Sequence, residues 1–404
     1  MTGRRPVTPA AALGDSHNFG RRVTLRGARV AKPRTLLWEW LLLSADSPLR
    51  RCLADAAEAE GLGRDAFGFL PTLRFYDAGA AVGGEVERLR LDPLRSSSRA
   101  VRRSLATIVG RSLALWSWLG VADLHWENLI LGVGKRGNIV FGPLDIEMIL
   151  ADLALPTETK LLPDADPEYA AVCRHASGVR RVLPYLGKPI AAEDLLALAA
   201  AYRSTLELLD RHAQAVADTF ASLPNLRDEP LRVLLRGTSE YVNAAQTPLW
   251  PPLLEAEAVQ LARGDIPYFF RLYEQPGIHF YANAELTQVA RLPLRGDVPQ
   301  LEPLLSLARG LRSASRQTLR EQGLLTLLAA FDHPSLSGKH SGEGLTLTLG
   351  PRGVRVELQS GEALQAGRSL RELVSSVYLP CRCGEVREVF VPPVTVCKVA
   401  PGSV

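Results

Sequence analysis

The stretch "GVADLHWENLILGVGKRGNIVFGPLDIEM", Gly120 to Met148, places Asp123, His125 and Asn128 within one short cluster and then returns, after an apolar run, with Asp145 and Glu147. Its middle, "LILGVGKRGNIVFGPL", predicts a β-hairpin, with "GVGKRGN" (132–138) as the turn. Immediately upstream, "SRAVRRSLATIVGRSLALWSWL" (98–119) predicts an amphipathic helix that runs straight into the cluster. Further upstream, "RRVTLRGARVAK" (21–32) alternates loosely around a glycine turn. That predicts a second hairpin, with Lys32 near the end of a strand and Pro33 at its exit.

These spacings match the needs of phosphoryl transfer. A carboxylate must orient and deprotonate the attacking hydroxyl, hard oxygen ligands must hold magnesium against nucleotide phosphates, and a cation must steady those phosphates. Asp123 precedes Asn128 by the spacing of a kinase catalytic loop, Asp145 follows a hairpin, and Lys32 ends an early strand. On this reading one loop delivers the base and one magnesium ligand, and the next strand end delivers the other. Each piece also has a plainer reading. His125 could be a satisfied core histidine, and Asp145 and Glu147 a solvated strand end. The hairpin turn is not a phosphate-binding loop of the Gly-x-x-x-x-Gly-Lys-Ser/Thr order.

The bulk properties bound the class. The chain has 404 residues, 47% hydrophobic and 22% charged, with a net charge of +4. That is an ordinary globular composition with room for more than one lobe. Arginine is spread rather than blocked, so nucleic acid is not the expected partner. The mild basic surplus suits a phosphorylated ligand or an acidic peptide. No apolar run approaches the roughly 20 residues a membrane span needs, and the first residues lack the apolar core of a signal peptide. The five cysteines are uneven in spacing, which fits a reducing, cytoplasmic setting. Cys381, Cys383 and Cys397 match no standard zinc spacing and read as ordinary thiols.

The expected fold class is α+β, in three parts. Residues 1–95 form a small part carrying the hairpin and Lys32. Residues 96–334 are mainly helical, with helices over 193–222, 228–245, 252–263 and 300–331. Residues 335–404 are a β-rich extension, because "LTLTLGPRGVRVELQSG" alternates on both sides of a turn.

Four further stretches, in order, are "GDSHNFGRRV" (14–23), "VAKPRTL" (30–36), "LRVLLRGTSEY" (231–241) and "GDIPYFF" (264–270). Together with "DLHWENLI" and "LDIEMIL" they resemble the dehydratase domain of class II lanthipeptide synthetases of the LanM type, over roughly residues 14–290. The resemblance implies a two-lobed, kinase-like fold related to lipid kinases. It implies an enzyme that uses ATP and Mg2+ to phosphorylate Ser and Thr of a precursor peptide. The phosphate is then eliminated in the same site, leaving dehydroalanine or dehydrobutyrine.

Carried over by motif, Asp123 is the phosphorylation base and His125 its loop partner. Asn128 and Asp145 hold magnesium, and Glu147 supports the metal or the lysine. Lys32 faces the nucleotide and acts in elimination, as a base if its pKa is depressed. Arg232 and Thr238 hold the departing phosphate, with Arg236 close by, and His17 lies near the phosphates. Guanidinium forks suit that task better than a lysine point charge. The bland reading of Arg232 and Arg236 is a helix face making surface ion pairs. The motif "LDIEM" departs from the family's usual Asp-Leu-Glu-Thr. The family's long N-terminal part and its cyclase domain have no counterpart here, so ring closure is not expected. A partner protein that supplies the missing surface or the cyclisation is. Two other readings stay open: a kinase that stops at the phosphate, on a peptide or small molecule, and an inactive peptide-binding scaffold.

Overall fold

Three strands joined by tight turns open the described chain: β1 (Ala11–His17), β2 (Arg21–Arg26) and β3 (Arg29–Lys32). The structure, a computed structural model, describes residues 11–77, 83–150, 156–162, 177–236, 238–244, 253–273, 275, 277–293, 313–331, 333–350, 353–367 and 395–398. Cys381 and Cys383 lie outside these residues. The glycine turn at Gly27 (φ 65°) needs a left-handed backbone, and it closes the predicted hairpin with Arg26 opposite Arg29. Strands β4 (Phe75–Asp77) and β5 (Gly84–Glu87) complete an antiparallel sheet of order β1-β2-β3-β5-β4. Lys32 therefore ends an interior strand, opposite Gly84.

Helices α1 (Leu37–Leu43) and α2 (Pro48–Ala59) follow β3. Ser47 caps α2 by accepting from Arg50 N, with Pro48 in the first turn, where its missing N–H costs nothing. The expected long helix is α3 (Arg99–Leu119). Ser98 Oγ accepts from Val101 N at its start, and Gly120 (φ 64°) ends it in the left-handed conformation. Helix α4 (Leu183–Leu186) is a single turn, and α5 (Ala192–Arg211) packs on α3. Their axes approach closely because residue 110 is glycine: a Cβ there would lie 2.2 Å from Leu198 O. Helix α6 (Ala213–Ala221) continues the bundle. The predicted hairpin forms as β6 (Leu129–Val133) and β7 (Ile139–Pro143), with Val133 opposite Ile139, so its turn is shorter than the expected 132–138.

The next segment departs from the sequence expectation. Residues 228–245 are not one helix. They hold β8 (Leu231–Val233) and a short α7 (Thr238–Asn243). Helix α8 (Glu255–Ala262) matches its prediction. Three unpredicted strands follow, β9 (Phe269–Arg271), β10 (His279–Tyr281) and β11 (Val289–Arg291), giving a sheet of order β11-β10-β9-β8. Each of its strands is three residues long, too short to print a period on the sequence.

Helix α9 (Ser313–Ala330) leads into the C-terminal sheet, β12 (Gly338–Gly342), β13 (Leu345–Gly350), β14 (Gly353–Leu358), β15 (Glu362–Gly367) and β16 (Thr395–Lys398), antiparallel in chain order. Leu345, Leu347 and Leu349 alternate inward and join one hydrophobic core with Leu195, Leu198 and Leu324. The architecture is α+β. Among the described residues no helix is long and apolar enough to cross a membrane.

Candidate active site

The end of β3 carries Lys32 into a buried cluster of charges. Its Nζ donates to Glu39 Oε1 at 2.8 Å, to Leu144 O at 2.8 Å and to Asp145 Oδ1 at 2.7 Å. Glu39 sits on α1 and Asp145 just past β7, so one ammonium ties the first sheet to a helix and to the hairpin's exit. Arg34 donates to the same Asp145 oxygen and to both oxygens of Glu39. Burial alone would strip the proton from Lys32, but Asp145 and Glu39 outweigh it and hold its pKa above the ordinary value. A lysine that acts as base needs a depressed pKa, and here the shift is upward. Burial likewise favours the neutral form of Asp145, yet Arg34 and Lys32 hold its carboxyl well below the usual carboxylate range.

Glu147 lies two residues on and clamps two guanidiniums. Arg232 Nη1 donates to Oε2 at 2.7 Å, and Arg34 Nε lies 2.9 Å from Oε1 as an ion pair without hydrogen-bond alignment. Its ion pairs are thus with arginines rather than with Lys32. The backbone repeats the link, because Arg232 N donates to Glu147 O. Arg232 also stands 5.3 Å from the ring of Tyr268, which meets the imidazole of His17 edge-on. The His17 pKa is lowered, first by burial and then by Arg232. A small cleft lined by Asn18, Arg34, Thr35, Tyr268 and Tyr281 opens beside this group.

Asp123 follows the glycine cap of α3 in a left-handed conformation of its own (φ 64°). Ala122 N donates to Met148 O, so the Asp123 loop lies against the Asp145–Glu147 segment. Asp123 Oδ1 accepts from Lys160 Nζ at 2.9 Å. Asn128 Nδ2 donates to Asp123 O at 2.9 Å, which closes the loop and leaves the amide oxygen as the free end. His125 is held through its backbone, paired with Ser177, and its imidazole lies 4.0 Å from Glu127.

The turn after β1 is fixed from the segment between α8 and β9. Asp265 accepts from Ser16 Oγ, Phe19 N and Gly20 N at 2.7, 2.8 and 2.9 Å. His17 Nδ1 lies 2.8 Å from Ile266 O.

Of the residues singled out in the sequence, Lys32, Asp145, Glu147, Arg232 and His17 are linked through these contacts, and Asp123 and Asn128 lie on the adjoining loop. Arg236 does not join them. It is 3% exposed and committed to Glu257, with Nε 2.9 Å from Oε1, while Tyr241 donates to the same carboxylate. A guanidinium withdrawn from water needs such a partner, and the chain turns at Leu235 and Arg236, past the end of β8. Thr238 is exposed at the start of α7 and among the described residues shares no hydrogen bond with the cluster. The sequence reading missed Arg34, Glu39, Lys160, Asp265 and Tyr268. Glu39 had a signal: it is a lone acid inside "LLWEWLLLS", and a charge on a buried helix must be paired.

The donor set fits magnesium. Asp145 takes both cations on Oδ1, its side chain is 35% exposed, and Asn128 offers an amide oxygen. Mg2+ takes few protein oxygens and completes its shell with phosphates and water. Among the described residues no group of three or more His, Cys, Asp and Glu forms an all-protein cage. Compared with protein-family models and with curated proteins, the chain matches none.

Proposed function

We propose that this chain is an ATP- and Mg2+-dependent enzyme that phosphorylates Ser and Thr of a precursor peptide and eliminates the phosphate, as in lanthipeptide dehydration. It would work on a two-lobed, kinase-like frame. The observation that carries the reading is the position of Lys32. From an interior strand end it bridges a helix-borne Glu39 and Asp145, beside the loop that carries Asp123 and Asn128. Phosphoryl transfer is mostly positioning and charge stabilisation, and this arrangement supplies both.

In the first step Asp123 takes the proton of the attacking hydroxyl. Asn128 and Asp145 would hold magnesium, which neutralises charge on the nucleotide phosphates when bound. Lys32 stays protonated in its pair with Asp145 and Glu39 and serves as a fixed cation. In the second step Lys32, once it has given its proton to water and left its carboxylate partners, would take the Cα proton; the Cα–Cβ double bond forms as the Cβ–O bond breaks, and that electron pair leaves with the phosphate, whose charge needs neutralising. Arg232, held by Glu147, offers a guanidinium fork for it, and Arg34 adds buried positive charge behind.

One observation favours the kinase-only alternative: the raised Lys32 pKa leaves that residue unsuited to remove a Cα proton while its carboxylate partners stay in place. One experiment separates the readings. The protein is incubated with Mg2+, ATP and Ser- and Thr-containing peptides, and the peptide mass is measured. Loss of water supports dehydration, and a gain of phosphate alone supports the kinase. An unchanged peptide with ATP intact would sink both.

A further inference from the structure

Tyr268 is held on three sides and unpaired at its tip. Its backbone N–H donates to Gln260 Oε1 at 2.9 Å. The His17 ring meets its ring edge-on at 5.9 Å, and the Arg232 guanidinium stands 5.3 Å from the ring centre. The residue is 4% exposed, yet its hydroxyl makes no hydrogen bond with any described residue. Burial first and then Glu147 hold its pKa above the ordinary value, with Arg232 and Arg34 opposing. The phenol therefore keeps its proton near neutral pH and acts as a donor.

Two further polar groups line the same cleft in the same condition. Asn18 is 5% exposed, and its side-chain amide is unpaired among the described residues. So is the hydroxyl of the half-buried Tyr281. Arg34 adds positive charge to the wall, but its guanidinium is already held by Glu39, Asp145 and Thr35 O. Burying a polar group without a partner is costly. Three such groups around one cleft are explained by an acceptor that arrives with a ligand. The cleft has room for about one water-sized group, so a single oxygen of a larger molecule enters it. Arg34 in the wall and Arg232 against the Tyr268 ring favour an oxygen that carries negative charge.

We infer that Tyr268 is a further catalytic residue, whose hydroxyl receives, with the Asn18 amide, one oxygen of the leaving phosphate. This rests on the reading of Arg232 as the fork for that phosphate. The phenol keeps its proton throughout and forms no covalent bond; the bonds that break are the substrate's Cα–H and Cβ–O. As the Cβ–O bond breaks, its electron pair adds negative charge to the phosphate. A donor fixed in advance is worth most while that charge develops.

Tyr268→Phe keeps the ring, with its contacts to His17 and Arg232, and removes only the hydroxyl. Calorimetry with inorganic phosphate should show an affinity about tenfold below that of the wild type. In the peptide reaction, elimination should slow on the order of a hundredfold more than phosphorylation does, so phosphopeptide accumulates. Asn18→Gly suits the φ of 47° at that position. It should show the same selective loss, smaller in size, and it carries the test if the phenylalanine variant does not fold. Unchanged phosphate affinity or unchanged elimination in Tyr268→Phe would overturn the role. So would equal slowing of phosphorylation and elimination, the mark of a ring that only supports Arg232. Weaker binding of a non-hydrolysable Mg·ATP analogue with elimination intact would move the oxygen to the nucleotide and overturn the assignment. A wild type that binds phosphate through Tyr268 but modifies no peptide would overturn the proposed reaction and leave the phosphate site in place.

Discussion

Lys32 and Glu39 form an ion pair almost wholly withdrawn from water, 2.8 Å apart with side chains 8% and 2% exposed. Removing one member of such a pair strands the other charge, at a cost of about 3–5 kcal/mol, whereas replacing both by apolar groups costs far less. Lys32→Met and Glu39→Leu should each lower stability by about 3 kcal/mol in urea unfolding. The double variant should recover a large part of the loss. All three should lose ATP turnover, because the position of Lys32 depends on the pair. A double variant no more stable than the singles would show that the pair is not coupled.

His17 gives the fold a neutral-pH signature. Burial first, then Arg232, lowers its pKa below the ordinary 6.5. The unfolded chain therefore takes up a proton at higher pH than the folded one, so stability rises with pH between the folded pKa and 6.5 and is flat above. His279 is shifted the same way by burial and Arg291 and contributes a parallel slope. His17→Gln should remove part of the rise seen in urea midpoints over that window, and the double variant with His279→Gln most of it. An unchanged slope in the double variant would place the titration elsewhere.

The elements with long or regular patterns were legible in advance. The helix over 99–119 announced itself through its amphipathic pattern, and the hairpin at 129–143 through its turn. Asp123, Asn128 and Asp145 lie on adjoining segments, Leu144 N donating to Asn128 O. The cations and their partners were harder to read. Lys160 meets Asp123 across 37 positions of chain and Asp265 meets Ser16 across 249, and no local period encodes such contacts. Arg236 misled because it shares a motif with Arg232. The strand ends between them, and that sends the second guanidinium to Glu257.

That divergence gives Arg232 and Arg236 different predicted phenotypes. Arg236→Gln should strand Glu257 and destabilise the protein by about 3 kcal/mol, while leaving the ratio of phosphorylated to dehydrated peptide unchanged. Arg232→Gln should shift that ratio toward phosphopeptide, because a fork that neutralises the leaving phosphate is gone. Mass spectrometry of the product read beside thermal unfolding separates the two. A ratio that moves with Arg236 would return that residue to the site.

Asp265 fixes the turn that carries His17, and its carboxylate is 1% exposed. Its oxygens serve three donors from residues 16–20, while Arg263 lies 3.5 Å away and stacks over Phe19. Asn18, Phe19 and Gly20 all have positive φ, so the turn holds its shape only because its amides are satisfied. Asparagine offers one oxygen and points an NH2 group at a donor. Asp265→Asn should therefore leave a buried N–H unpaired, at a cost of about 1–3 kcal/mol. The functional effect separates positioning from bulk stability. With the turn loosened, His17 loses its fixed contact with Ile266, so KM for Mg·ATP should rise while kcat falls little. Equal loss of both, recovered by lowering the temperature, would reduce Asp265 to a structural clamp. A variant of wild-type stability would mean that the three hydrogen bonds do not hold the turn.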